Sequence, residues 1–170
     1  QDASMILYAE SVAAELAGAD ADFGLAAGTA SVVLDRIAPG LDREQHPRDL
    51  SEGQRVALAL AVILASSPSL VLLDEPTRGL DYAAKRRLVE VLRELAASGH
   101  AVVLATHDVE LAAELATRVV ILADGEVVAD GSAATVLSGS PAFAPQVAKI
   151  VHPLPYLTVD EVVAAVGEAS

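Results

Sequence analysis

The spacing of apolar residues changes partway along the chain. Up to residue 67 they recur at helical intervals. Ser11 to Ala17 predicts one short helix, Leu25 to Ala38 a second that Pro39-Gly40 stops, and Gly53 to Ala65 a third that Ser66-Ser67-Pro68 stops. Leu41 to Asp49, between the last two, is polar and irregular. From Val56 to Ala65 the third segment is apolar throughout; a membrane span needs about 20 such residues, so this run predicts a buried helix instead. Beyond residue 68 the apolar residues form short continuous runs. Leu70 to Leu73 and Ala101 to Ala105 predict strands buried on both faces, and Val119 to Leu122 a third strand. Helical stretches, Asp81 to Ala97 and Val109 to Ala116, alternate with them, and Asp124-Gly125 predicts a hairpin turn into Glu126 to Ala129. Such alternation requires crossover connections, so the expected class is α/β with a mainly parallel sheet and a helical section at the N-terminal end. Residues 132–170 predict small helices with Pro-containing joints, and no internal repeat or low-complexity tract is present.

Composition narrows the function classes. A chain of 170 residues fits one ordinary domain of about 100–200 residues. At 53% hydrophobic and 21% charged it is not a disordered segment. Its net charge of −13 argues against stand-alone nucleic-acid binding, which needs a basic face. There is no cysteine, which excludes disulfides, thiolate nucleophiles and Cys-based zinc sites. Aromatic residues are only 3%, so the core must be aliphatic and Ala-rich. The opening Gln1-Asp2-Ala3-Ser4 has neither the basic cluster of a secretory signal nor an initiator Met, and we expect a piece of something longer.

In open parallel sheets ligands sit beyond the carboxyl ends of the strands, which directs attention to three places. Asp74-Glu75-Pro76 ends the first predicted strand. Two adjacent acids there are a solvated loop or a magnesium site with a neighbouring base: Asp74 would hold Mg²⁺ through water and Glu75 would take a proton from an attacking water. Thr106-His107-Asp108 ends the second strand at the same edge; a lone His is commonly structural, but two polar sites converging on one edge favour chemistry. Leu50-Ser51-Glu52-Gly53-Gln54 opens the third helix. Ser51 with Gln54 fits a capping box, whereas Gly53 in the first turn permits close backbone approach at a helix end that attracts phosphate.

Together these residues resemble the ATPase domain of ABC transporters. Leu50 to Gln54 looks like the signature motif, Leu70 to Pro76 the acidic strand-end motif (Walker B), Gly79-Leu80-Asp81 the D-loop and Thr106-His107 the switch histidine, in the family's order. Asp74 to Lys85, with the tail from Pro141 through Pro153-Leu154-Pro155 to Val163, resembles more narrowly the ATPase component of energy-coupling-factor vitamin or metal-ion importers, in particular the second domain of a fused pair. The resemblance implies a partial P-loop NTPase fold divided into a Q-loop and helical signature subdomain over 1–67, a portion of a RecA-like core over 68–138 and a helical tail over 139–170. It implies ATP and Mg²⁺ as cofactors. Glu75 matches the general base, Asp74 the magnesium-side carboxylate, and His107 the group that links the γ-phosphate to Glu75. Ser51, Gly53 and Gln54 match contacts to ATP held by an opposite subunit, and Asp81 the D-loop contact across that dimer. Gln1 resembles the Q-loop glutamine on the magnesium side. Glu52 stands where the family most often has Gly, and is tolerable if its carboxylate points away from phosphate. The partners implied are a second ABC ATPase domain and a transmembrane coupling subunit, with the chain peripheral on the cytoplasmic face of the cell membrane, without a span of its own and without nucleic acid.

One family element is missing. The only lysines are Lys85 and Lys149, and neither follows a Gly, so the chain has no G-x-x-x-x-G-K-[ST] phosphate cradle. We therefore expect an ATPase domain supplied as its part after the Q-loop, inactive alone, with apolar sheet surface left uncovered and prone to self-association. A non-enzymatic assembly or regulatory module on the same fold remains an alternative, as does an ABC ATPase not coupled to transport.

Overall fold

The computed structural model describes residues 6–139 and 142–168. The chain forms two compact units, one ending at Ala105 and the other beginning at Thr106.

The first unit begins with three helices, α1 (Val12–Asp22), α2 (Thr29–Ile37) and α3 (Glu52–Ala65), with a short 3₁₀ turn at Pro47–Asp49. Each apolar stripe finds a partner: α1, α2 and α3 pack on one another, and α2 also lies against α4 (Tyr82–Ala97). Val12, Leu34, Ile37, Leu58, Leu88 and Leu92 form the aliphatic core. The predicted buried run in the third helix holds on one side: Ala57 to Ala61, Leu64 and Ala65 are buried, whereas Ile63 is 40% exposed. The second helix is shorter than expected, because Gly28, at φ +92, sets its start. Asp20 is buried in α1 and spends its carboxylate on that start, accepting hydrogen bonds from Gly28 N at 2.7 Å and Ala30 N at 2.8 Å. An ion pair of 2.8 Å between Arg36 and Glu94 joins α2 to α4 at the surface.

β1 (Leu70–Asp74) and β2 (Ala101–Ala105) pair in parallel, Leu70 opposite Ala101 and Asp74 opposite Ala105, with α4 as the crossover. Burial on both faces is not what the structure has. Val71 and Leu73 point into the core, but Leu70, Leu72 and Val103 are 50%, 68% and 55% exposed. The reason is that packing against α4 covers one face of this two-stranded sheet, and no described element of the unit covers the other.

The second unit contains α5 (Val109–Leu115), the antiparallel pair β3 (Arg118–Ala123) and β4 (Glu126–Ser132), and the helices α6 (Ala133–Ser138), α7 (Gln146–Val151) and α8 (Val159–Glu168). Asp124 and Gly125, at φ +52 and +81, make the predicted hairpin turn, a geometry with positive φ at both central positions. Parallel pairing is thus confined to β1 and β2 among the described residues, while the third strand pairs with β4 alone. Arg118 braces the hairpin by a forked pair of bonds to Asp130, 2.8 and 2.7 Å, which holds the Asp130 carboxyl below its usual range. Ala133, Leu137, Ala144, Ala148 and Leu157 form this unit's own small core. Among the described residues no helix is long and apolar enough to cross a membrane.

Candidate functional site

The start of α3 is built from its own sequence. Ser51 Oγ accepts from Gln54 N at 3.2 Å, and Gln54 Oε1 accepts from Ser51 N at 2.9 Å, so both halves of the capping box are made. The first turn of a helix carries partial positive charge and unpaired N–H groups, which suits an anion.

The turn after β1 comes up against this helix start. Arg78 N donates to Glu75 O and Leu80 N to Thr77 O, closing a tight turn in which Gly79 takes φ +76. Asp81 then caps α4, its Oδ1 accepting from Ala84 N at 2.7 Å. Gly53 lies so close to this turn that a Cβ there would overlap the carbonyl oxygen of Gly79. The small residue in the first turn of α3 is therefore required by the approach of another part of the chain, an account that sequence spacing alone did not supply. Glu52 lies over Gly79, and its carboxylate reaches Arg78 Nε at 3.7 Å. The two turns together border a pocket of about 420 Å³ whose walls include Gly40, Ser51, Gly53, Gln54, Asp81 and Arg87. Four of the residues singled out from the sequence, Ser51, Gly53, Gln54 and Asp81, thus meet at one place.

Asp74 and Glu75 stand at the carboxyl end of β1 and do not line that pocket. Asp74 is exposed, on the same side of the strand as Leu70 and Leu72. Glu75 is half-buried, and its N–H extends the ladder to Ala105 O at 2.9 Å. Its φ of +47 is unusual for a residue with a side chain, and such strained positions concentrate at functional sites. His107 belongs to the second unit, where it is exposed just ahead of α5; there Asp108 caps the helix through Leu111 N at 3.1 Å. Gln1 lies outside the described residues.

Among the described residues no group of three or more His, Asp or Glu side chains is gathered to hold a metal ion. Magnesium does not require one, because it takes one or two carboxylates and fills the rest of its shell with water and phosphate oxygens. The solvent-facing Asp74 carboxylate fits that demand. The described residues contain no lysine-bearing glycine loop.

Residues 10–113 match the family described as "AAA domain, putative AbiEii toxin, Type IV TA system". The chain is similar to a "Putative ABC transporter ATP-binding protein" of Streptomyces coelicolor, 62% identical over 95% of this chain and 29% of that protein. It is also similar to the cobalt import ATP-binding protein CbiO of Rhodobacter capsulatus, 39% identical over 81% of this chain and 51% of that protein. Among solved structures, a dimeric ATP-binding cassette in a post-hydrolysis state bound to ADP and Pi superposes with a TM-score of 0.57 at 30% identity, over 62% of this chain and 46% of that one. The chain spans less than a third of the length of its Streptomyces relative.

Proposed function

We propose that this chain, which belongs to the AAA-domain family matched over residues 10–113 and is similar to ATP-binding proteins of ABC transporters, carries the signature half of an ATP-hydrolysing importer subunit. The observation that carries this reading is the meeting of the capped α3 start with the turn around Gly79 and Asp81. That pocket presents Ser51, Gly53 and Gln54 to the γ-phosphate of a nucleotide held by a second ATPase domain, with Asp81 contacting that domain. Support for a paired arrangement comes from the similar cassette, which is dimeric.

At the end of β1, Glu75 is the general base: its carboxylate takes a proton from the water that attacks the γ-phosphate. Asp74 would hold the Mg²⁺ side of the site, a role the resemblance gives to Gln1 as well, and the ion would supply positive charge against the phosphates. His107 contacts the γ-phosphate. With no glycine-lysine cradle, these 170 residues alone neither bind ATP tightly nor hydrolyse it, and the main phosphate-binding groups come from another segment. The likeness to a cobalt import protein supports the energy-coupling-factor class, a transmembrane coupling subunit as partner and a peripheral place on the cytoplasmic face of the membrane.

The test uses a longer protein that carries this segment together with a phosphate-binding loop. Glu75→Gln should leave ATP binding within about twofold and lower steady-state hydrolysis by about a hundredfold or more. Unchanged turnover in that variant would remove the base assignment.

A further inference from the structure

Within the second unit, the C-terminal tail is fastened to α5 close to the point where His107 leads into it. α5 has seven residues, and a helix of that length depends on its neighbours to stay in place. Those neighbours come from later in the chain. Ala112 and Ala113 of α5 pack against a core to which the tail contributes Ala144, Ala148 and Leu157. A polar link adds to this packing. Glu110, in the first turn of α5, reaches across 36 positions of sequence, and its Oε1 accepts from the N–H of Gln146, the first residue of α7, at 2.7 Å. That N–H is one of the groups that a helix start leaves unpaired. α7 has no local means of meeting the need: Pro145 makes no side-chain cap bond, and the first turn of α7 carries no acid. Glu110 supplies both the acceptor and the negative charge that a helix start favours. In the same turn of α5, Asp108 caps the helix through Leu111 N at 3.1 Å, and His107 is the residue before it. The tail therefore grips α5 three positions from His107.

We infer that Glu110 is a positioning residue: through its bond to Gln146 the tail sets where the start of α5, and with it His107, stands. The inference rests on the reading of His107 as a contact to the γ-phosphate. Glu110 acts only through α5. Its bond lies at the surface, so it can break while the alanine contacts beneath it remain, and the start of the helix is then free to shift. A displacement of about 1 Å at a reacting group can lower a rate by about a hundredfold. Most of the charge of ATP is met by groups from another segment, so a displaced His107 lowers turnover more than it lowers nucleotide binding.

Two substitutions cut the link from opposite sides. Glu110→Ala removes the acceptor. Gln146→Pro removes the donor at an exposed first helical position that suits proline, so α7 should keep its start. Glu110→Gln keeps an oxygen able to accept. In the whole chain, NMR follows the imidazole signals of His46, His100, His107 and His152, and His107→Gln identifies that of His107 by its loss. Both cutting variants should move the His107 signals in the same direction and leave those of His46 and His100, in the first unit, in place. Glu110→Gln should move them far less. In a longer protein that carries this segment together with a phosphate-binding loop, each cutting variant should lower kcat for ATP hydrolysis by about fivefold with KM for ATP within about twofold. The two together should cost no more than one, and neither should add to the loss caused by His107→Ala. The inference is overturned if the His107 signals ignore both variants, or if Glu110→Gln is as damaging as Glu110→Ala. It is overturned too if Glu110→Ala lowers hydrolysis as much in the His107→Ala background as in the parent. Hydrolysis unaffected by His107→Ala would overturn the inference through its premise, the phosphate role of His107, and the NMR signals tell that case from a failed link.

Discussion

The start of α3 and the outer face of the β1/β2 pair belong to the same compact unit, yet one is closed and the other open. At the start of α3 the capping groups are paired: Ser51 and Gln54 satisfy each other, and Gly53 leaves room for the Gly79 carbonyl where a Cβ would overlap it. On the sheet face, Leu70, Leu72 and Val103 stand in a row in water. The difference lies in where each receives its partners. A helix cap and a tight turn are completed by residues a few positions away, or by one backbone contact. A strand face is completed only by another layer, which is a property of the whole sheet. The acidic residues fall on the second side of this divide. Asp74 continues the open row, whereas Glu75 is turned out of the strand by its positive φ.

The sharpest way to break the contrast is Gly53→Ala. The added methyl would overlap the Gly79 carbonyl, so the backbone of one turn must move. Overpacking of this kind costs about 1–3 kcal/mol, and the upper end is expected here because the obstacle is backbone and not a side chain that can swing aside. Urea unfolding of the chain measures it. A loss below about 0.5 kcal/mol would mean that the two turns are not held together and that this end is as open as the sheet face.

Sequence reasoning reached the local features and stopped at the nonlocal ones. The capping box at Ser51 and Gln54 and the Asp124-Gly125 hairpin were legible because each is specified within four residues. The strands were found, but their burial was misread: a run such as Leu70 to Leu73 records apolar residues and carries no information on which face has a neighbour. The approach of Gly53 to Gly79 spans 26 positions, and no pattern near either glycine announces the other. Asp20 gave no signal because an acid inside a helix ordinarily faces water, and its partners lie across a loop that spacing does not describe. The order of Ser51, Asp74, Asp81 and His107 along the chain was, by contrast, readable as a set of motifs, and the family it suggested is the one named by similar proteins.

The caps give a smaller and more even effect. Ser51→Ala removes the acceptor for Gln54 N, and Asp81→Ala the acceptor for Ala84 N, each leaving one helix N–H unpaired in protein. Each should lower stability by about 1 kcal/mol, with Gly at the same position costing only a few tenths. The Gly variant separates cap from contact. If Asp81→Gly loses as much as Asp81→Ala, the carboxylate is held by something other than its cap, and the closed end would have to be redrawn around that interaction.

The smallest change in stability is expected on the open face, together with a change in association. Leu72→Thr with Val103→Thr places β-branched, strand-forming side chains at both positions and leaves the net charge untouched, so the main effect is removal of apolar surface. Both residues already face water, and unfolding free energy should stay within about 0.5 kcal/mol of the parent. Association should respond, because contiguous exposed apolar surface beside open strand edges favours contact between copies. Light scattering of the parent chain should show self-association that the double substitution reduces. A parent that is already a monodisperse monomer would mean that the row of Leu70, Leu72 and Val103 is not adhesive in water, and the open side of the comparison would then describe geometry without an energetic consequence.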